Sequence, residues 1–239
     1  DETLRLLAAV DGFRASVHDI HVRMGGKLAI ALFDKTASNP AARIHQAIAA
    51  FRDQAPGVAL ELHVGTIQAI ERGVLDGGFA VGVIPAHRAS GSLRYERLFG
   101  ETMRLYAGAG HPLFDQEHLA LDWKALRARA DFAGLGYHSP NLELAHARHL
   151  QRGATAFDQE AIATLILSGR FVGFLPDHYA DAFVQRGQLR AVAPATLHYA
   201  CDFVSVLRRS PQPARAALAF QQALRAAHAP AHPPPSGRS

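Results

Sequence analysis

Residues 26–33, Gly-Lys-Leu-Ala-Ile-Ala-Leu-Phe, open a pattern that recurs at 58–64, Val-Ala-Leu-Glu-Leu-His-Val, and at 79–84, Phe-Ala-Val-Gly-Val-Ile. Short apolar runs of this length, bounded by glycine, proline or polar residues, read as buried strands. What lies between them has another period. Pro40 to Asp53 carries Ala42, Ile44, Ala47, Ile48 and Phe51 at helical spacing, and Ile67 to Leu75 carries a shorter stripe that stops at Gly77-Gly78. Strand, helix, strand, helix, strand implies a parallel sheet with right-handed crossovers.

Working outward, the second half repeats the alternation less cleanly. Met103 to Ala107, Phe132 to Gly136 and Phe171 to Leu175 read as strands, with helices near Trp123 to Ala130, from about Asn141 to Gln151, and from Asp158 to Leu167. A last strand, Asp202 to Leu207, precedes a helix from Ala214 to Ala226, so two α/β units fit the pattern better than one. Ahead of the first strand, Leu4, Leu7, Val10, Phe13, Val17, Ile20 and Met24 recur every three or four residues. That spacing predicts one long helix with an apolar seam, stopped at Gly25-Gly26, and the seam is a candidate for pairing with a second helix. Residues 228–239 are rich in proline and small polar side chains and predict a tail that does not pack.

Composition narrows the function classes. The 239 residues are 49% hydrophobic and 19% charged, enough to bury a sizeable core, and the formal net charge of +4 is too small for a nucleic-acid surface. The single cysteine, Cys201, cannot form an internal disulfide and reads as a small buried apolar residue; a reducing, cytoplasmic setting fits. No run approaches the roughly 20 apolar residues that cross a bilayer, so no membrane role is expected.

Reaction chemistry is thinly represented. Gly108-Ala109-Gly110 lacks the third glycine of a dinucleotide turn, and no phosphate loop or Gly-x-Ser-x-Gly elbow occurs. His18 with His21, and His146 with His149, have one-face spacing on a helix but no further ligands in view. Neither an enzyme, a metal nor a cofactor is expected. Polar residues do gather behind the strands, where open α/β sheets place ligands. Asp34, Lys35, Thr36, Ser38 and Asn39 follow the first strand, and Gly65-Thr66 follows the second and opens a helix, a place that suits an anion. Asn39 and Thr66 are equally suited to be plain helix caps. Tyr137, His138 and Ser139 follow a strand of the second half, while Phe174 ends another.

The order of elements and several strings resemble the LysR-type transcriptional regulators, specifically their linker helix and effector-binding domain. These strings are Gly26 to Ala31, Ala55-Pro56-Gly57-Val58, Gly73 to Val83, Gly110-His111-Pro112-Leu113, and Leu165 to Pro176 followed by Gly187-Gln188-Leu189. The resemblance implies a fold like type II periplasmic binding proteins, with two Rossmann-like subdomains joined by two crossover strands. Subdomain one would be 27–100 plus 203–227, and subdomain two 101–202, after a linker helix at 1–26. It implies a small, anionic effector between the subdomains, held by the Asp34 to Asn39 loop and the Gly65-Thr66 turn, with Tyr137, His138, Ser139, Thr155, Phe157 and Phe174 as further contacts. Relatives often carry a small hydroxyl residue after the first strand; here Asp34 would repel an anion and Lys35 attract one. The resemblance further implies assembly as a homodimer or homotetramer, and DNA contact through a winged helix-turn-helix ahead of Asp1. The competing expectation is a periplasmic receptor for solute uptake, which shares the fold but has no use for the apolar seam.

Overall fold

The computed structural model describes residues 24–115 and 121–230. The linker-helix positions Leu4 to Ile20 lie outside them. Met24, the last residue of that seam, is partly buried against the core, and Gly26 takes φ +91°, the left-handed conformation glycine tolerates.

Among the described residues, nine strands form one continuous sheet. The first half contributes β1 (Gly26–Leu32), α1 (Ile44–Gln54), β2 (Val58–Val64), α2 (Ile67–Asp76) and β3 (Val81–Pro85), followed by the long β4 (Leu93–Gly108). The second half contributes α3 (Trp123–Arg129), β5 (Asp131–Leu135), α4 (Pro140–Ala147), β6 (Arg152–Ala156), α5 (Gln159–Leu167), β7 (Phe171–Pro176), α6 (Asp177–Gln185) and β8 (Leu189–Ala191). It ends with β9 (His198–Arg208) and α7 (Arg215–His228). The spatial order is β2-β1-β3-β9-β4-β7-β5-β6, with β8 beside β4. Strands β2, β1 and β3 run parallel, as do β7, β5 and β6, which is what strand-helix-strand units produce.

The two halves are joined by β4 and β9, an antiparallel pair running from Leu93 opposite Arg208 to Arg104 opposite His198. Each long strand serves both lobes. Residues Phe203 to Val206 of β9 pair with β3, whereas Met103 to Ala107 of β4 pair with β7. After β9 the chain returns to lobe I, where Ala217, Phe220 and Leu224 of α7 are buried and Phe220 meets Phe51 of α1 edge-on at 5.6 Å. Lobe II has its own apolar cluster around Leu135, Ile162, Ile166 and Leu175.

Several boundaries differ from the sequence reading. The strand expected at Met103 to Ala107 is the second half of β4, because Leu93 to Thr102 mixes charged and apolar residues along a strand whose faces are unequally covered. Pro40 and Ala41 form a turn ahead of α1 instead of its first helical residues: Asn39 Oδ1 accepts the Ala41 amide at 2.8 Å, a local bond that competes with helix. The helix expected through Gln151 stops at Ala147, and His149 takes φ +52°. At the C-terminus, α7 continues through His228, so that residue is not part of a tail. Its Nε2 accepts the Arg43 amide at 3.0 Å and its ring stacks on Phe99.

Candidate effector site

The loop after β1 does not act as one unit. Asp34 reaches across to lobe II, where its Oδ2 accepts the backbone amide of Gln159 at 2.8 Å. Lys35, held at φ +59°, pairs with Glu160 of the same helix and lies 4.6 Å over the Tyr179 ring. Ser38 Oγ meets His178 Nδ1 at 2.9 Å, and His178 Nε2 meets Glu101 Oε2 at 3.1 Å, linking loop, α6 and the crossover strand in one chain. Asn39 donates to the Gly100 carbonyl at 3.4 Å. Thr36 is buried on the other face of lobe I, lining a cavity of about 310 Å³ beside α1.

Three helix starts converge on the space between the lobes. Thr66 caps α2, accepting the Ala69 amide at 3.3 Å, while the Gly65 amide donates to Leu32 O. Ser139 caps α4 through the Leu142 amide at 3.3 Å, and Asp158 caps α5 through the Ala161 amide at 2.7 Å. Ile67, Ser139, Pro140, Asn141 and Gln159, all at or next to these helix starts, line one small cavity of about 20 Å³ with Phe33, Glu101 and Tyr199. That is room for about one water, so the lobes meet closely here, whereas a cavity of about 570 Å³ stays open beside it among Asn39, Glu101, Asp177 and His178. Gln68 Nε2 fastens the rim, donating to the His138 carbonyl at 2.7 Å.

Buried polar atoms without a partner gather here. Asp34 Oδ1, Gln159 Oε1, Gln68 Oε1, Tyr137 Oη, His138 Nδ1 and Asn141 Nδ2 all lack a hydrogen bond. Native interiors satisfy nearly every buried polar group, and each one left unmade costs about 1–3 kcal/mol. Gln159 and Asn141 are each only 2% exposed. The Asn141 orientation is fixed, because its Oδ1 accepts the Leu135 amide at 3.1 Å and so turns Nδ2 toward the Tyr199 hydroxyl, short of a full hydrogen bond. Burial pushes Asp34 above its ordinary carboxylate range against the opposing pull of the Gln159 amide and Lys35. Burial likewise raises Glu101, with His178 opposing, and raises the Tyr137 hydroxyl.

Other expected contacts lie elsewhere. Phe174 is fully buried in lobe II among Trp123, Phe132 and Tyr199 and lines none of these cavities. Thr155 and Phe157 stand exposed at the end of β6, Phe157 at 63%. Cys201 is buried, and burial raises its thiol. No group of side chains able to hold a metal occurs among the described residues.

A family model described as the LysR substrate binding domain matches residues 23–229. The chain belongs to the LysR family of transcriptional regulators. An HTH-type transcriptional activator, BauR of Pseudomonas aeruginosa, is 37% identical over 211 residues, spanning 88% of this chain and 69% of that one. Among solved structures, the cofactor-binding domain of the Cbl transcriptional regulator has a TM-score of 0.68 at 21% identity, covering 86% of this chain and 90% of its own. Full-length CbnR complexed with its target DNA has a TM-score of 0.61 at 15% identity, covering 95% and 78%. The LysR chain is thus a ligand-sensing regulatory domain, with the fold the family strings implied.

Sequence reasoning missed Gln68, Glu101, Asn141, Gln159 and His178. Asn141 and Gln159 had one local signal, a polar residue just inside a helix start. Glu101 and His178 had none, because strand pairing and the fold of α6 bring them together.

Proposed function

We propose that this LysR domain holds a small effector with an anionic group in the inter-lobe cleft and passes its binding state to DNA-binding parts of the full regulator, in the cytoplasm. The single observation that carries this reading is the set of unpartnered buried polar atoms, contributed by both lobes, at three converging helix starts. Helix N-termini favour negative charge, and Asn141 Nδ2 and Tyr137 Oη supply donors beside them. Thr66 and Ser139 belong to this anion end, whereas Lys35 serves closure through Glu160.

The lobes would hinge about Gly100–Glu101 and Cys201–Asp202, where β4 and β9 exchange one lobe's strands for the other's. An effector shifts such an equilibrium only by binding one arrangement better. The apolar seam from Leu4 to Met24 would carry the change to a homodimer or homotetramer.

A thermal-shift screen of small aliphatic and aromatic acids tests the reading, since a bound ligand raises apparent stability. Asn141→Asp keeps the acceptor for Leu135 and replaces the Nδ2 donor with negative charge. We expect a concentration-dependent rise with at least one acid, weakened at least about tenfold in Asn141→Asp. A shift of equal affinity in that variant overturns the anion site.

A further inference from the structure

We infer that the effector carries an ammonium group as well as its anionic end, and that Asp34 together with Gln159 receives it. The inference rests on the cleft reading above and narrows the ligand to a small amino acid or related zwitterion.

The unpartnered atoms are of two kinds. Asn141 Nδ2 is a donor only, and the Tyr137 hydroxyl can donate; these suit a carboxylate at the start of α4, whereas Gln68 Oε1 at the start of α2 is an acceptor. Asp34 Oδ1 and Gln159 Oε1 are acceptors, and a carboxylate brought to them would meet oxygen against oxygen. Asp34 and Gln159 are adjacent, because Asp34 Oδ2 already holds the Gln159 amide at 2.8 Å. The second carboxylate oxygen is therefore held in place, buried and unspent. Gln159, 2% exposed, lines the same cavity as Asn141. The one lysine of the loop acts on this corner only through space, since its ammonium is committed to Glu160 and the Tyr179 ring. An ammonium offers three donors and a full positive charge, which completes Asp34 Oδ1 and Gln159 Oε1 together. Binding there keeps the Asp34 bridge to α5 intact, so the ligand reinforces the closed arrangement instead of prying it open.

The test uses the full chain and matched pairs of small amino acids and their deaminated acids, with the amino group at the α or the ω carbon, in thermal shift and calorimetry. At least one amino acid is expected to bind at least about tenfold more tightly than its deaminated partner. Asp34→Asn, which keeps an acceptor for the Gln159 amide, is expected to shrink that preference below about threefold while the bare acid binds as before. Gln159→Met removes the other acceptor and leaves the Asp34 bridge, so it reads the same preference if the first variant is unfolded. Equal binding of acid and amino acid overturns the ammonium while leaving the anion site standing. Binding of neither overturns both, and an amino-group preference that survives both substitutions overturns the assignment to Asp34 and Gln159.

Discussion

Two polar networks in this domain, one reaching the surface and one buried, are finished to different degrees. Between β4, β9 and α7, Glu96 spends both oxygens: Oε1 on Arg225 Nε at 2.5 Å, and Oε2 on Arg225 Nη2 at 2.9 Å and Gln221 Nε2 at 2.8 Å. Gln221 Nε2 also reaches Ser205 Oγ at 2.8 Å, leaving Gln221 Oε1 as the one atom of this network without a partner. In the cleft, Asp34 spends one oxygen on Gln159 and is surrounded by other unspent atoms. The acidities follow. Arg225 holds Glu96 below the ordinary carboxylate range, while burial holds Asp34 above it. One network leaves a single buried atom without a partner and the other leaves several, drawn from both lobes, so the more open one marks where something else is to be held.

Breaking the closed network should have the largest effect on stability. Glu96→Ala strips one of two partners from the Nε2 of buried Gln221 and releases exposed Arg225, and is expected to cost about 1–2 kcal/mol in denaturant unfolding. Ligand response should persist, because Glu96 lies outside the cleft. A loss below about 0.5 kcal/mol would erase the contrast between the two networks.

The open network should behave oppositely. Gln159→Met replaces an unsatisfied acceptor with an apolar group of similar length and keeps the backbone amide that Asp34 holds. Unliganded stability is expected to stay level or rise by up to about 1 kcal/mol, because the penalty for Gln159 Oε1 disappears. A fall above about 1 kcal/mol would mean that Gln159 supports the fold and that its oxygen is satisfied in solution.

The same contrast explains what could be read in advance. The parallel strands β1 and β3 were legible because Leu28, Ile30, Val81 and Val83 sit in short, buried apolar runs. Strand β8, three residues long, and α6, whose polar Asp177-His178-Tyr179 start follows β7 without a break, gave no period to detect. At the site, Asp34 and Ser139 were legible as polar residues behind strands. Phe174 is buried in the core, and an aromatic at a strand end looks the same in sequence whether it lines a cleft or fills a core. Which oxygen of Asp34 is spent depends on a contact 125 residues away, and no local pattern records it.

A pH-dependent effect separates the fold's demands on Asp34 from the ligand's. Its folded pKa lies above the ordinary 3.8, so between that value and the raised one the folded chain binds more protons than the unfolded chain. Stability from this group therefore falls as pH rises through the window, and the full penalty is in place above it. Glu101 is raised in the same direction and is present in both proteins compared, and because its charge also raises Asp34, the difference reports Asp34 together with that repulsion. Asp34→Asn carries no such penalty and still offers an oxygen to the Gln159 amide. Without ligand it should be more stable than the wild type at neutral pH by on the order of 1 kcal/mol, roughly 2–4 °C in Tm. That gap should close below pH 3.8, where Asp34 is protonated in both states. Melting curves from pH 3.5 to 7.5 measure it. A variant less stable than wild type at neutral pH would make Asp34 a structural bridge first, whereas the expected crossover would show a carboxylate retained at a cost to the fold, as a residue kept for a ligand must be.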